Sequence, residues 1–164
     1  MSMATFSGPV RAGTVRYGAG TNTGVLVLAQ TANVGFASMT TSPTAVNLFT
    51  LPAGSKILRF KVEKTTAISG GSVSGVNATF GNSTTANAYQ TSAAIGITAA
   101  QAVQATLDAA LVSSATDNIG TADVTITGTF TATGGNPTAG AAVVTIEYMQ
   151  RNSDGTTAPA YNNV

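Results

Sequence analysis

The chain has 164 residues and a mass of 16.2 kDa, a size that fits one domain with one substantial core. Its net charge is +1, and only 8% of its residues are charged, far below the usual share for a soluble protein. It contains neither Cys nor His, which excludes disulfides, thiolate metal sites, cysteine nucleophiles and imidazole as a general base or zinc ligand.

Residues 1–23 are small, polar and glycine-rich, with no sustained periodicity. Phe6, Val10, Val15 and Tyr17 are spaced along them as isolated apolar anchors. Arg11 and Arg16 lie between these anchors, and no acidic residue occurs before Glu63. The pattern predicts an extended arm that becomes ordered by lying on a partner; a solvated terminus is the plainer alternative. Signal-peptide order is lacking, because the apolar run after Arg11 and Arg16 is too short. No stretch approaches the roughly 18 apolar residues of a membrane helix.

Gly24 to Gln30 is a nearly continuous apolar run and predicts a strand covered on both faces. Two further short strands are expected over Val34 to Met39 and Ala45 to Thr50, separated by a segment holding Pro43. Leu51-Pro52-Ala53-Gly54 reads as a β-turn with Pro second and Gly fourth. The clearest strand follows, from Lys56 to about Ile68. Leu58, Phe60 and Val62 fall on one face, and Arg59, Lys61 and Glu63 on the other. Five of the chain's charged residues (Lys56, Arg59, Lys61, Glu63 and Lys64) gather here. This implies either an edge guarded against stray pairing or a contact surface.

Past the Ser69–Ser72 loop, Val73 to Phe80 reads as a strand with Val76, Ala78 and Phe80 on one face. A turn at Gly81–Thr85 and a short strand near Tyr89 follow. Residues 93–112 are ambiguous: Val103, Leu107 and Leu111 share a helical face, yet short strands or loops also fit. Thr121 to Thr133 sets Val124, Ile126, Gly128 and Phe130 against a threonine row at 125, 127, 129 and 131. Ala141 to Met149 reads as its hairpin partner across the Gly134-Gly135-Asn136-Pro137 loop. The expected fold is therefore all-β, an antiparallel two-sheet jelly-roll-like sandwich over residues 24–149. The N-terminal arm precedes it, and a patternless tail, 150–164, follows.

Chemical constellations are sparse. Gly18-Ala-Gly20-Thr-Asn-Thr-Gly24 follows no strand and lacks the Lys-Ser/Thr of a phosphate loop. Glu63 and Glu147 fall on strands that can neighbour each other, as a glycosidase-like pair requires, but solvated strand faces explain both more simply. Asp117, Asn118 and Asp123 offer oxygen ligands for calcium, although a polar loop needs no ion. Asn77-Ala-Thr79 and Asn82-Ser-Thr84 match the N-glycosylation pattern, as chance allows in a threonine-rich chain. The basic cluster on the central strand is diluted by Glu63 and lacks interleaved exposed aromatics, which argues against nucleic-acid binding. The reading is a protein without catalysis, cofactor or metal. Its neutral Thr-, Ala- and Val-rich faces are readily desolvated against copies of themselves, so a homo-oligomer is expected, a trimer with a dimer as the alternative.

Several strings taken together resemble the small virion structural proteins of tailed bacteriophages, namely jelly-roll head decoration (cement) or head-fibre proteins. They are Phe49-Thr50-Leu51-Pro52-Ala53-Gly54-Ser55-Lys56-Ile57, Ala78-Thr79-Phe80-Gly81-Asn82, Asp123-Val124-Thr125-Ile126-Thr127 and Thr138-Ala139-Gly140-Ala141-Ala142-Val143-Val144-Thr145-Ile146-Glu147-Tyr148. The similarity covers roughly residues 45–149, and Phe6–Thr14 and Asn22–Gln30 also look like the start of such proteins. The resemblance implies an oligomer, often a trimer, made in the host cytoplasm and clamped on the outside of the capsid shell. Its partners would be the major capsid protein and itself. On that reading Phe6, Val10, Arg11, Val15, Arg16 and Tyr17 form the capsid contact. The alternative is a tail or head-fibre module binding host glycans, which the absence of Trp and the presence of only four Tyr weaken.

Overall fold

The computed structural model describes residues 27–97, 105–106 and 118–150. Nine strands appear in it: β1 (Val27–Gly35), β2 (Met39–Thr40), β3 (Val46–Leu51), β4 (Lys56–Ser69), β5 (Gly75–Gly81), β6 (Gln90–Ala94), β7 (Ala105–Thr106), β8 (Val124–Thr133) and β9 (Ala139–Met149). They form two sheets. Sheet A has the order β1-β9-β4-β7. Sheet B has the order β2-β8-β5-β6, and β3 lies beside the first half of β8, in line with β2. All pairings are antiparallel except the two-residue parallel match of Met39 and Thr40 to Phe130 and Thr131. The fold is the expected all-β two-sheet sandwich. The arm 1–23 and the tail from 151 lie outside the described residues.

Alternation builds the core. Phe60 and Val62 of β4, Val144 and Ile146 of β9, Val76, Ala78 and Phe80 of β5, and Ile126 and Phe130 of β8 are all buried. Phe60 of sheet A stacks on Phe80 of sheet B at 4.3 Å between ring centroids, 8° from parallel. Phe130 meets Phe80 edge-on at 6.1 Å and 82°. One aromatic chain thus joins both sheets, each contact adding about 0.5–1.5 kcal/mol beyond burial of its area.

The turn before β4 is displaced by one residue from its expected place. The Ser55 amide donates to the Pro52 carbonyl at 3.2 Å, so Pro52 is first and Gly54 third. Gly54 adopts φ +72°, which only glycine takes without strain, and that requirement sets the frame of the turn. A register shift between Ile57 and Arg59 then makes Leu58 a bulge. Ile57 is buried, and Lys56 joins Arg59 on the outer side.

Three other expectations need correction. Over its described residues, 27–30, the run to Gln30 is not covered on both faces. It belongs to the edge strand β1, whose residues alternate between exposed and half-buried up to a buried Val34, with Val27 50% exposed. Val34 to Met39 is not one strand, because Phe36–Ser38 form a 3-10 turn between β1 and β2. Nor do β8 and β9 make a hairpin: they lie in different sheets. The connection 134–138 crosses between sheets beside the β4–β5 connection, which crosses too. The Ser74 amide donates to the Thr133 carbonyl at 2.8 Å, and the Thr138 amide to the Ser69 carbonyl at 2.9 Å. With both neighbours of β8 in sheet B already supplied, β9 finds its pairing between β1 and β4. Within 93–112, residues 93–94 end β6 and 105–106 form β7, so those positions are extended; 98–104 and 107–112 lie outside the described residues.

Candidate interaction surface

The outer faces of the two sheets differ in chemistry. On sheet A the register stacks Val27, Met149 and Lys56 in one row and Ala29, Glu147 and Arg59 in the next. Thr31, Thr145 and Lys61 follow, then Asn33, Val143 and Glu63. The charges form a ridge along β4. Arg59 grips Glu147 through two contacts, Nη2 to Oε1 and Nε to Oε2, both 2.8 Å. Lys61 lies 3.7 Å from Glu63. Because the Arg59 side chain is 47% exposed, this pair fixes geometry more than it stabilises the fold, contributing well under about 1 kcal/mol.

The strands of sheet B carry no charged side chain at all. Their outer face is built from hydroxyls and amides. Thr40, Thr131, Asn77 and Ala94 form one row, Thr129 and Thr79 another, and Thr50 and Thr125 a third. Such groups lose water at far lower cost than charges do, so this face suits a broad contact with another protein surface.

The predicted site residues divide as follows. Phe6, Val10, Arg11, Val15, Arg16 and Tyr17 lie outside the described residues. The charged cluster of β4 is on one face except for Lys64, which is 3% exposed and on the same inward side as Phe60 and Val62. Its Nζ lies 3.4 Å from where a Cβ on Gly96 would stand. Parity alone signals this, since Lys64 is in phase with the buried residues. Moreover, β4 is not an edge: β9 flanks its whole length, and β7 pairs with it at Lys61 and Val62.

Glu63 and Glu147 are on neighbouring strands but are not a catalytic pair. Glu63 stands opposite Val143 and Glu147 opposite Arg59, a separation of four residues along β9. That is about 13 Å at strand rise, beyond the roughly 5–9.5 Å of glycosidase carboxylates. Asp123 Oδ1 accepts the Ala53 amide at 3.0 Å, and Asn118 Oδ1 the Gly120 amide at 2.9 Å, so both side chains organise turns; Asp117 lies outside the described residues. Asn82 Oδ1 accepts the amides of Thr84 and Thr85, and its Nδ2 donates to the Tyr89 hydroxyl, another architectural role. Asn77 lies on the outer face of sheet B.

No protein-family model matches the chain, and no curated protein does. Among solved structures, it is similar to a chain of the cyanophage Pam1 capsid asymmetric unit, at 17% identity and a TM-score of 0.49, over 87% of this chain and 99% of that one. It is also similar to a chain of the acidic stable capsid structure of Helicobacter pylori bacteriophage KHP30, at 16% identity and a TM-score of 0.43, over 76% and 88% respectively.

Proposed function

We propose that this chain is a structural virion protein of a tailed phage that decorates and cements the outside of the capsid shell. The observation that carries the reading is the uncharged sheet B, whose outer face is threonine, asparagine and alanine across five strands. A protein that spends its life free in solution normally relies on surface charge to stay dispersed. One that is held in an assembly does not, and a neutral polar face is the cheaper one to desolvate. The sequence resemblance to cement and head-fibre proteins supports the same reading and supplies the partner, the major capsid protein.

In this proposal the arm 1–23 is the main attachment. Phe6, Val10, Val15 and Tyr17 enter crevices between capsid subunits, while Arg11 and Arg16 pair with carboxylates on the shell. Ordering the arm costs about 1 kcal/mol or more per residue, so attachment depends on many small contacts repeated in each copy of an oligomer.

Co-sedimentation with empty phage heads tests this. The full chain saturates the heads; a chain lacking residues 2–20 keeps its strand circular dichroism and no longer binds. Arg11→Ala with Arg16→Ala weakens binding and flattens its salt dependence. If the truncated chain saturates heads at the affinity of the full one, the arm is only a tail, and attachment falls to the sandwich or to residues 150–164. If the full chain binds no heads at all, the cement reading is wrong.

A further inference from the structure

The four ends of the two sheets are not alike. β7 is two residues long, β6 is five residues with a register shift, and the β2–β3 side is interrupted by Pro43 and bulged at Leu48. Short strands, bulges and prolines are the usual devices that stop sheet edges from pairing with other chains. β1 has none of them. It runs nine residues in unbroken register with β9, and its sequence Val-Leu-Ala-Gln-Thr-Ala-Asn-Val-Gly contains no charge and no proline. Among the described residues nothing pairs with its other side.

The two large hydrophobic side chains that stand exposed among the described residues mark its ends. Val27, 50% exposed, begins the strand, and Phe36, 41% exposed, follows its last residue. Leu28 and Ala32, on the inward side, are only partly buried.

We infer that the β1 edge is a self-association surface, taking β1 of a second copy antiparallel about a two-fold axis at Thr31. That register places Val27 opposite Gly35 of the other copy. Each Phe36, the next residue along, then comes beside the other copy's Val27, so the two exposed hydrophobics cover one another at both ends. The outward positions that meet are Ala29, Thr31 and Asn33, with no like charges to oppose the approach. The product is a continuous eight-stranded sheet, and Leu28 and Ala32 gain a neighbouring strand. A two-fold contact closes on itself, so it selects the dimer over the trimer. The inference stands on β1 alone and does not depend on capsid attachment.

Light scattering of the full chain gives twice the 16.2 kDa chain mass across micromolar concentrations. Thr31→Lys, which places two cations face to face, weakens the dimer at least roughly tenfold with the strand signal unchanged. Thr125→Lys, on the outer face of sheet B, leaves the dimer intact. A wild-type monomer or trimer overturns the inference, as does a folded Thr31→Lys chain that still dimerises like the wild type. A monomer that dimerises once residues 2–26 are removed also overturns it, because the chain's own arm then covers the edge. Should Thr31→Lys not fold, Thr31→Cys decides: this chain has no other thiol, so mild oxidation crosslinks two copies if the strands meet there and leaves monomers if they do not.

Discussion

Gly128 occupies a core position on β8, between Ile126 and Phe130, where the alternation would ordinarily place a large side chain. Its value lies in the missing Cβ. An added Cβ would stand 2.6 Å from Leu48 Cδ1 and 3.0 and 3.2 Å from the Phe130 ring. Leu48 is the bulged residue of β3 and has some freedom to turn away; the buried Phe130 ring, held edge-on against Phe80, has little. Gly128→Ala therefore overpacks the aromatic chain, and its better strand propensity does not compensate. We expect a loss of about 1–3 kcal/mol, read as a lower urea midpoint with unchanged m-value. A variant as stable as the wild type would show that Leu48 absorbs the whole clash.

At the scale of elements, the β3–β4 turn is tied to the segment before β8 by several hydrogen bonds. The Gly54 amide donates to the Gly120 carbonyl at 2.7 Å, the Ile119 amide to the Ser55 carbonyl at 3.1 Å, and the Ala53 amide to Asp123 Oδ1. A turn that crosses from sheet B to sheet A is thus fastened to the segment that leads into β8. Asp123→Ala removes one acceptor and costs about 1–2 kcal/mol in chemical unfolding, whereas Asp123→Asn keeps an oxygen there and costs clearly less. Equal losses for both would assign the effect to the charge instead. The same element shows what was legible beforehand. Alternation located β4, β5, β8 and β9, because a half-buried strand writes its two faces into the sequence. Pairing was not legible, since β8 and β9 are adjacent in the chain and match in length, yet the partner of each is fixed by strands far away. The turn frame was missed for a local reason, the positive φ of Gly54 outweighing the preference of proline for the second position. The strings that carry the family resemblance fall on this turn, on Phe80, on Asp123 and on the core face of β9, so they speak to architecture. The uncharged outer face of sheet B was visible as composition, but its assembly from five strands required the topology. For Lys64, phase along β4 and not charge decides the face, and it is buried with Phe60 and Val62.

For the molecule as a whole, the register of β1 against β9 sets Val27 directly beside Met149. The first residue of β1 and the last of β9 thus meet at one corner of the sandwich. Suppose both are anchored and the anchors are drawn apart, as when a shell swells under internal pressure. The load then meets the hydrogen bonds of β1 and β9 one after another from the Val27–Met149 end, as the teeth of a zip, and never as a block in shear. Such a joint yields at low force and recloses when the load is removed. In single-molecule pulling from positions 27 and 149, the sandwich should open at a markedly lower force than when pulled from 27 and 69, where β1 and β4 are loaded along their length through β9. Equal forces in the two geometries would mean that resistance resides in the aromatic core. In the cement role proposed above, a joint of this kind would be a compliant link that gives way first at its rim.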